Sequence, residues 1–115
     1  LNHLLRPALY DAYHGIYNLS NPEGTPEAYD VTGNICESGD LFARDRQIQE
    51  IREDDILTIN DAGAYGMSMA SYYNLRALPA EVLLSADGTY QTIRARRSTE
   101  ELLTELKLVG RPHAD

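Results

Sequence analysis

Three short clusters hold the residues of this sequence that can do chemistry. The first is Arg6, followed by Pro7 and, four residues on, Tyr10. A guanidinium is a planar fork that fits a carboxylate through two parallel hydrogen bonds, and a phenol can add one more to the same anion. The second is Cys36-Glu37-Ser38-Gly39-Asp40, a thiol and two acids around a glycine that lets the backbone turn. Such a stretch at a strand end can present three side chains to one cleft, where Glu37 can take a cationic amine by a charge-assisted hydrogen bond. The third is Asp61-Ala62-Gly63-Ala64-Tyr65-Gly66. Its small residues admit a large group close to the backbone, and N–H groups at a helix start form an anion nest. Tyr65 can stack on a ring or reach a phosphate there. Each cluster also has an ordinary reading: a surface arginine, a buried cysteine beside a solvated turn acid, and a packed turn with its tyrosine on the core.

Other reactive residues are scattered. His3, His14 and His113 share no ligand spacing, and Cys36 has no second cysteine, so no zinc site is written in the sequence. His14 reads as a core-edge histidine bonded to its neighbours, His113 as solvated, Met67 and Met69 as gap fillers, and Arg94, Arg96 and Arg97 as a solvated strand end. The glycines match neither a Walker loop nor a dinucleotide fingerprint. Eighteen acidic residues against 10 basic ones give a net charge of −8, which argues against a nucleic-acid partner. The single cysteine excludes an internal disulfide and fits a reducing, cytoplasmic compartment. There is no apolar run of membrane-spanning length, and the opening residues do not resemble a signal peptide. Asn18-Leu19-Ser20 matches a glycosylation sequon. The 8 tyrosines against 1 phenylalanine and no tryptophan suit either a polar pocket or interface, or simple strand propensity.

At 115 residues the chain fits one small domain, residues 1–115. Leucines at 1, 4, 5 and 9 have helical spacing, but Pro7 interrupts them, so a helical turn is expected before Arg6 and irregular backbone after it. Strands are expected at Tyr13–Leu19, Tyr29–Cys36, Ile56–Ile59, Glu81–Ser85 and Thr89–Ala95, the last two joined by a hairpin turn at Asp87-Gly88. Leu41–Ile51 is ambiguous. A helix is expected within Ala62–Tyr73 and another after the Ser98 cap, with its apolar face at Leu102, Leu103 and Leu106 and its stop at Gly110, Arg111 and Pro112. Connections this short favour antiparallel pairing, which predicts a mainly β, antiparallel barrel or sandwich with short helices.

Taken in order, Arg6-Pro7-Ala8-Leu9-Tyr10, Tyr13-His14, Cys36 to Asp40, Asp61 to Gly66, Ser68 to Asn74 with Arg76, and Pro79 to Val82 resemble the diaminopimelate decarboxylases over nearly the whole chain. The resemblance implies the barrel-like C-terminal domain of a fold-type III pyridoxal-phosphate enzyme, used for substrate binding and dimerisation. An N-terminal (β/α)8 barrel, absent from these residues, would carry the lysine that holds the cofactor. The implied reaction converts meso-diaminopimelate to L-lysine and carbon dioxide in lysine biosynthesis, in a cytoplasmic homodimer. Arg6 and Tyr10 would hold the distal carboxylate and Glu37 the distal ammonium. Cys36 would enter the partner subunit's active site as a candidate proton donor, and Tyr65 would approach the cofactor and substrate.

Decarboxylases of other basic amino acids in this group typically carry aspartate where Glu37 stands, and their substrates lack the distal carboxylate. Arg6 and Glu37 therefore favour diaminopimelate. Lys107, the only lysine, sits among leucines of the last expected helix and is a poor partner for the cofactor. The expectation is a part of a larger enzyme that is inactive alone. The alternatives are a decarboxylase of another basic amino acid and a non-catalytic binding module.

Overall fold

Ile48 is the packing centre of the computed structural model, which describes residues 1–109. It is 1% exposed on β3 (Leu41–Gln49) and clusters with Ala43 and with Ile16 of β1 (Ile16–Asn18). Tyr29, Val31, Phe42, Ile51, Leu57 and Ile59 pack around these three. Backbone contacts divide the chain into two compact units, one of residues 1 and 3–70 and one of residue 2 with the described residues from 71 onward.

In the first unit, α1 (Arg6–Tyr10) begins where the sequence suggested that helix should stop. Pro7 lies in its first turn, where an N–H has no intrahelical acceptor and a fixed φ suits the helix, so the proline starts the element rather than breaking it. Asp11 in the left-handed region (φ 53°) ends it. β2 (Pro26–Thr32) pairs antiparallel with β3 from Pro26↔Gln49 to Thr32↔Leu41. The register shifts between Tyr29 and Val31, where Asp45 adopts φ 45° and donates its N–H to Asp30 Oδ1 at 2.8 Å. One residue facing two is a β-bulge, which bends the hairpin. β1 pairs antiparallel with β4 (Leu57–Ile59) through Ile16↔Ile59, so that pair encloses the β2–β3 hairpin in sequence.

In the second unit, Tyr73–Leu75 forms a 3₁₀ turn, followed by β5 (Glu81–Leu84) and β6 (Tyr90–Arg94), an antiparallel hairpin. Its turn has Gly88 at φ +85°, and Asp87 Oδ1 accepts from both the N–H and the hydroxyl of Thr89. Every residue of β6 is exposed, as are Val82, Leu83 and Leu84 of β5. α3 (Thr99–Val109) opens on a reciprocal cap: Glu101 N–H donates to Ser98 Oγ at 3.1 Å, and Ser98 N–H donates to Glu101 Oε2 at 2.7 Å. Leu102 is buried, whereas Leu103 and Leu106 are not. The expected stop at Gly110, Arg111 and Pro112, and His113, lie outside the described residues.

The expected mainly β, barrel-like architecture is not what forms. Among the described residues the strands make three separate two-stranded antiparallel sheets, β1–β4, β2–β3 and β5–β6, in a small mixed α/β domain. A barrel needs each strand hydrogen-bonded on both edges, and here each has one partner. Short connections do give antiparallel pairs, but β1 and β4 are 3 residues each, too short to carry a continuous ladder. The expected strand through Cys36 ends at Thr32, because the following residues fold into a turn organised by Asp40.

Candidate functional site

Two of the three sequence clusters meet in one place. α1 brings Arg6 and Tyr10 to the same helical face, at the i, i+4 spacing. α2 (Gly63–Met69) starts two residues after Asp61, another left-handed residue (φ 57°), and carries Tyr65 in its first turn. The Arg6 guanidinium carbon lies 5.3 Å from the centroid of the Tyr65 ring, within cation–π range. Arg6, Tyr10, Tyr65 and Met69 line an open cavity of about 530 Å³, a size suited to a small molecule. Arg6 is half-buried, while Tyr10 and Tyr65 are 63% and 55% exposed, so both phenols remain accessible. The cavity thus offers a carboxylate-fitting fork, two hydroxyls and a thioether.

The third cluster lies elsewhere, on the connection between β2 and β3. Gly33 N–H donates to the Asp40 carbonyl at 2.9 Å, and Asp40 N–H donates to the Glu37 carbonyl at 3.0 Å, which closes the turn. Cys36 is exposed with a free thiol. Glu37 is half-buried, and its Oε1 accepts from the Gly39 N–H at 3.1 Å and from the Ser38 hydroxyl. Asp40 does not join them at a cleft. It is 4% exposed and accepts from the Ile35 N–H at 3.0 Å and from the Leu1 backbone nitrogen. Neither Cys36 nor Glu37 lines the Arg6 cavity.

Several interactions were not legible in the sequence. Met69, read as a gap filler, is a wall of the cavity, and its i+4 spacing from Tyr65 on α2 was the available signal. Arg94 is exposed and Arg97 partly so, as expected of a solvated strand end, and both are paired as well: Arg94 with Glu81 at 2.5 Å, while Arg97 donates to the Tyr72 hydroxyl at 2.9 Å and to Glu105 at 2.7 Å. The Tyr72 hydroxyl is the first cause of the raised Arg97 pKa, with Glu105 adding to it. A second cavity, of about 330 Å³, has Pro7, Asp11, Tyr13, Phe42, Arg44 and Arg46 in its wall. Lys107 is exposed on α3. Among the described residues no group of histidine, cysteine and acidic side chains could hold a metal ion, and no helix is long and apolar enough to cross a membrane.

The comparisons with known proteins agree with one another. The family described as the C-terminal sheet domain of pyridoxal-dependent decarboxylases matches residues 1–63. The diaminopimelate decarboxylase of Methanothermobacter thermautotrophicus is 53% identical over 103 residues, covering 89% of this chain and 24% of that protein. The crystal structure of the diaminopimelate decarboxylase of Methanocaldococcus jannaschii superposes with a TM-score of 0.81 at 41% identity, over 90% of this chain and 24% of that one. The Helicobacter pylori diaminopimelate decarboxylase, solved in complex with L-lysine, gives a TM-score of 0.82 at 37% identity, over 94% of this chain and 26% of that one. The chain therefore spans about a quarter of the length of these relatives. Matched over more than half its residues by the family and over nearly all of them by such close relatives, the chain belongs to the C-terminal sheet domains of the pyridoxal-dependent decarboxylases.

Proposed function

We propose that this chain is the substrate-binding and dimerisation domain of a cytoplasmic diaminopimelate decarboxylase, which converts meso-diaminopimelate to L-lysine and carbon dioxide in lysine biosynthesis. The observation that carries this reading is the convergence of Arg6, Tyr10 and Tyr65 on one cavity, with Arg6 over the Tyr65 ring. Arg6 grips the distal carboxylate bidentately and Tyr10 donates its hydroxyl to the same group. Glu37, which does not line the Arg6 cavity of its own chain, takes the distal ammonium from the turn that it shares with Cys36, exchanging its bond to the Gly39 N–H for a stronger charged one. Cys36, exposed on the same turn, reaches the active site of a partner subunit and delivers a proton from Sγ to the carbon that has lost carbon dioxide. That L-lysine sits in the Helicobacter pylori relative supports a site for a molecule with a carboxylate and amine at one end.

The residues around Tyr65 fit one side of pyridoxal phosphate. Among the described residues, nothing beyond Gly63's chain neighbours and its own helix backbone comes within 4 Å of where a Cβ would stand, which leaves room for a flat ring or a phosphate near the accessible phenol. Lys107, exposed on α3, does not line the cavity, so the cofactor's lysine belongs to an N-terminal (β/α)8 barrel of the complete enzyme. When bound, the cofactor supplies the electron sink for the bond that breaks. This chain's residues orient the substrate and select it.

Two assays test the reading. The chain alone, given pyridoxal phosphate and labelled meso-diaminopimelate, releases no carbon dioxide. The complete polypeptide releases it and prefers diaminopimelate to ornithine, and Arg6→Ala erodes that preference, because ornithine has no distal carboxylate to lose. A complete enzyme that favours ornithine, or a preference untouched by Arg6→Ala, overturns the assignment.

A further inference from the structure

We propose that His14 is a positioning residue, which ties the α2 arm of the site to the chain leaving α1 through one hydrogen bond from Nδ1. His14 is 2% exposed and ranks with Ile48 and Asn18 as the most deeply buried side chains. Its Nδ1 lies 2.9 Å from the carbonyl oxygen of Asn60. A carbonyl only accepts, so the proton is on Nδ1, and in the neutral ring Nε2 is left as an acceptor. That Nε2 is buried and has no hydrogen-bond partner among the described residues. An apolar side chain would fill the same space without orphaning a polar atom, which in a buried site is unfavourable. A histidine there is accounted for by the donor on its other edge.

The bond closes a separation of 46 residues between the two arms. His14 stands four residues beyond Tyr10. Asn60 stands one before the left-handed Asp61 and three before α2, which carries Tyr65 and Met69. Asn60 is gripped twice, since its N–H donates to the Gly15 carbonyl at 2.8 Å. The His14 backbone is itself held: Arg46 Nη1 donates to its carbonyl at 2.6 Å, and the Arg46 guanidinium sits 4.0 Å from the centroid of the Tyr13 ring. A rigid clamp at 13–15 thus sets where residue 60 lies, and through Asp61 where Tyr65 meets Arg6. His14 touches neither Arg6 nor Tyr65 in this chain of contacts, so its influence is indirect. The consequence for catalysis rests on the substrate-site reading above; the tether does not.

The test starts with nuclear magnetic resonance on the 115-residue chain. Ring nitrogen shifts should report the Nδ1–H tautomer, with coupling through the hydrogen bond to the Asn60 carbonyl; an Nε2–H tautomer overturns the proposal. His14→Leu should speed amide exchange about tenfold at Asn60 and Gly66 and leave the β2–β3 amides unchanged. His14→Asn, whose Nδ2 stands where Nδ1 did, should restore slow exchange. Exchange that rises equally across β2–β3, or an asparagine variant no better than leucine, shows an ordinary core residue instead. If the leucine variant does not fold, the tautomer and the asparagine variant decide. In the complete enzyme, His14→Leu should raise KM for diaminopimelate about tenfold, with a smaller effect on kcat, and His14→Asn should recover it. An unchanged KM beside faster local exchange removes the positioning role. A complete polypeptide inactive on diaminopimelate counts against the substrate reading and leaves the exchange result to judge the tether.

Discussion

The side-chain amide of Asn18 donates to Asp55 Oδ2 at 2.7 Å, joining the end of β1 to the turn before β4. The same amide donates to the Glu50 carbonyl at 2.8 Å, and its oxygen accepts from the N–H groups of Ser20 and Asn21. One buried side chain thus satisfies four polar groups. Asn18→Ala should cost about 1–3 kcal/mol, because four partly exposed polar groups lose a buried common partner together. Urea unfolding checks this, and a loss below about 0.5 kcal/mol would show the network to be replaceable by water. Asp55 gives the pair a pH signature. Its carboxyl is held low first by the Arg52 N–H and then by Asn18. A depressed acid stabilises the fold above the ordinary value of 3.8, and that stabilisation is lost as pH falls through the folded-state value. Asp55→Asn should flatten the acid limb of stability against pH below 3.8.

Glycosylation at the sequon should fail on the folded chain. Asn18 is 2% exposed with its amide fully bonded, so a glycosyltransferase cannot reach Nδ2. Mass spectrometry after expression in a secretory pathway checks this. Modification of natively folded chain would mean that β1 opens locally.

Ile48→Ala should lower stability by about 2–5 kcal/mol, the cost of a cavity in a packed site. Calorimetry reads this as a fall in Tm. A change near zero would mean that Tyr29 or Phe42 collapses into the space.

Gly33→Ala should loosen the turn that carries Cys36 and Glu37. A methyl at position 33 would overlap the Asp40 carboxylate, which is buried and bonded to the Ile35 N–H. Relief requires moving Asp40, at about 1–3 kcal/mol. The Cys36 thiol reports it through faster alkylation by an exposed-thiol reagent, and an unchanged rate would show that the turn tolerates the shift.

Ser98→Ala should cost about 1 kcal/mol by removing half of the cap on α3. Circular dichroism against temperature should show less helix. Adding Glu101→Ala should cost little further if the two bonds form as one unit.

What the sequence revealed tracks how local each cause is. The Asp87-Gly88 turn and the Ser98 cap act within four residues, and both stand where the pattern put them. α1 was misplaced because Pro7 reads as a breaker unless its position in the first turn is known. Arg6, Tyr10 and Tyr65 were named from residue type, but their convergence depends on the backbone between Tyr10 and Asn60, which no spacing encodes. Four of the six strands lie within the expected stretches, but Leu41–Ile51 was ambiguous and forms β3, the longest strand, and the expected Tyr29–Cys36 strand is shifted to Pro26–Thr32. The pairing into three separate ribbons was not legible either, since period-2 patterning marks a strand and says nothing about how many neighbours it gains. Arg97 and Glu105 are eight residues apart across the cap of α3, a spacing that matches no single element.

The β5–β6 hairpin also governs how the isolated chain behaves at high concentration. Among the described residues each strand has one ladder partner, so each offers an edge of backbone donors and acceptors beside Val82, Leu84, Tyr90 and Ile93, all more than half exposed. Such an edge is a template for stacking strand on strand. Colloidal self-association of this chain should therefore nucleate at that ribbon long before the Ile48 core unfolds, and a charge placed at position 84 should delay it.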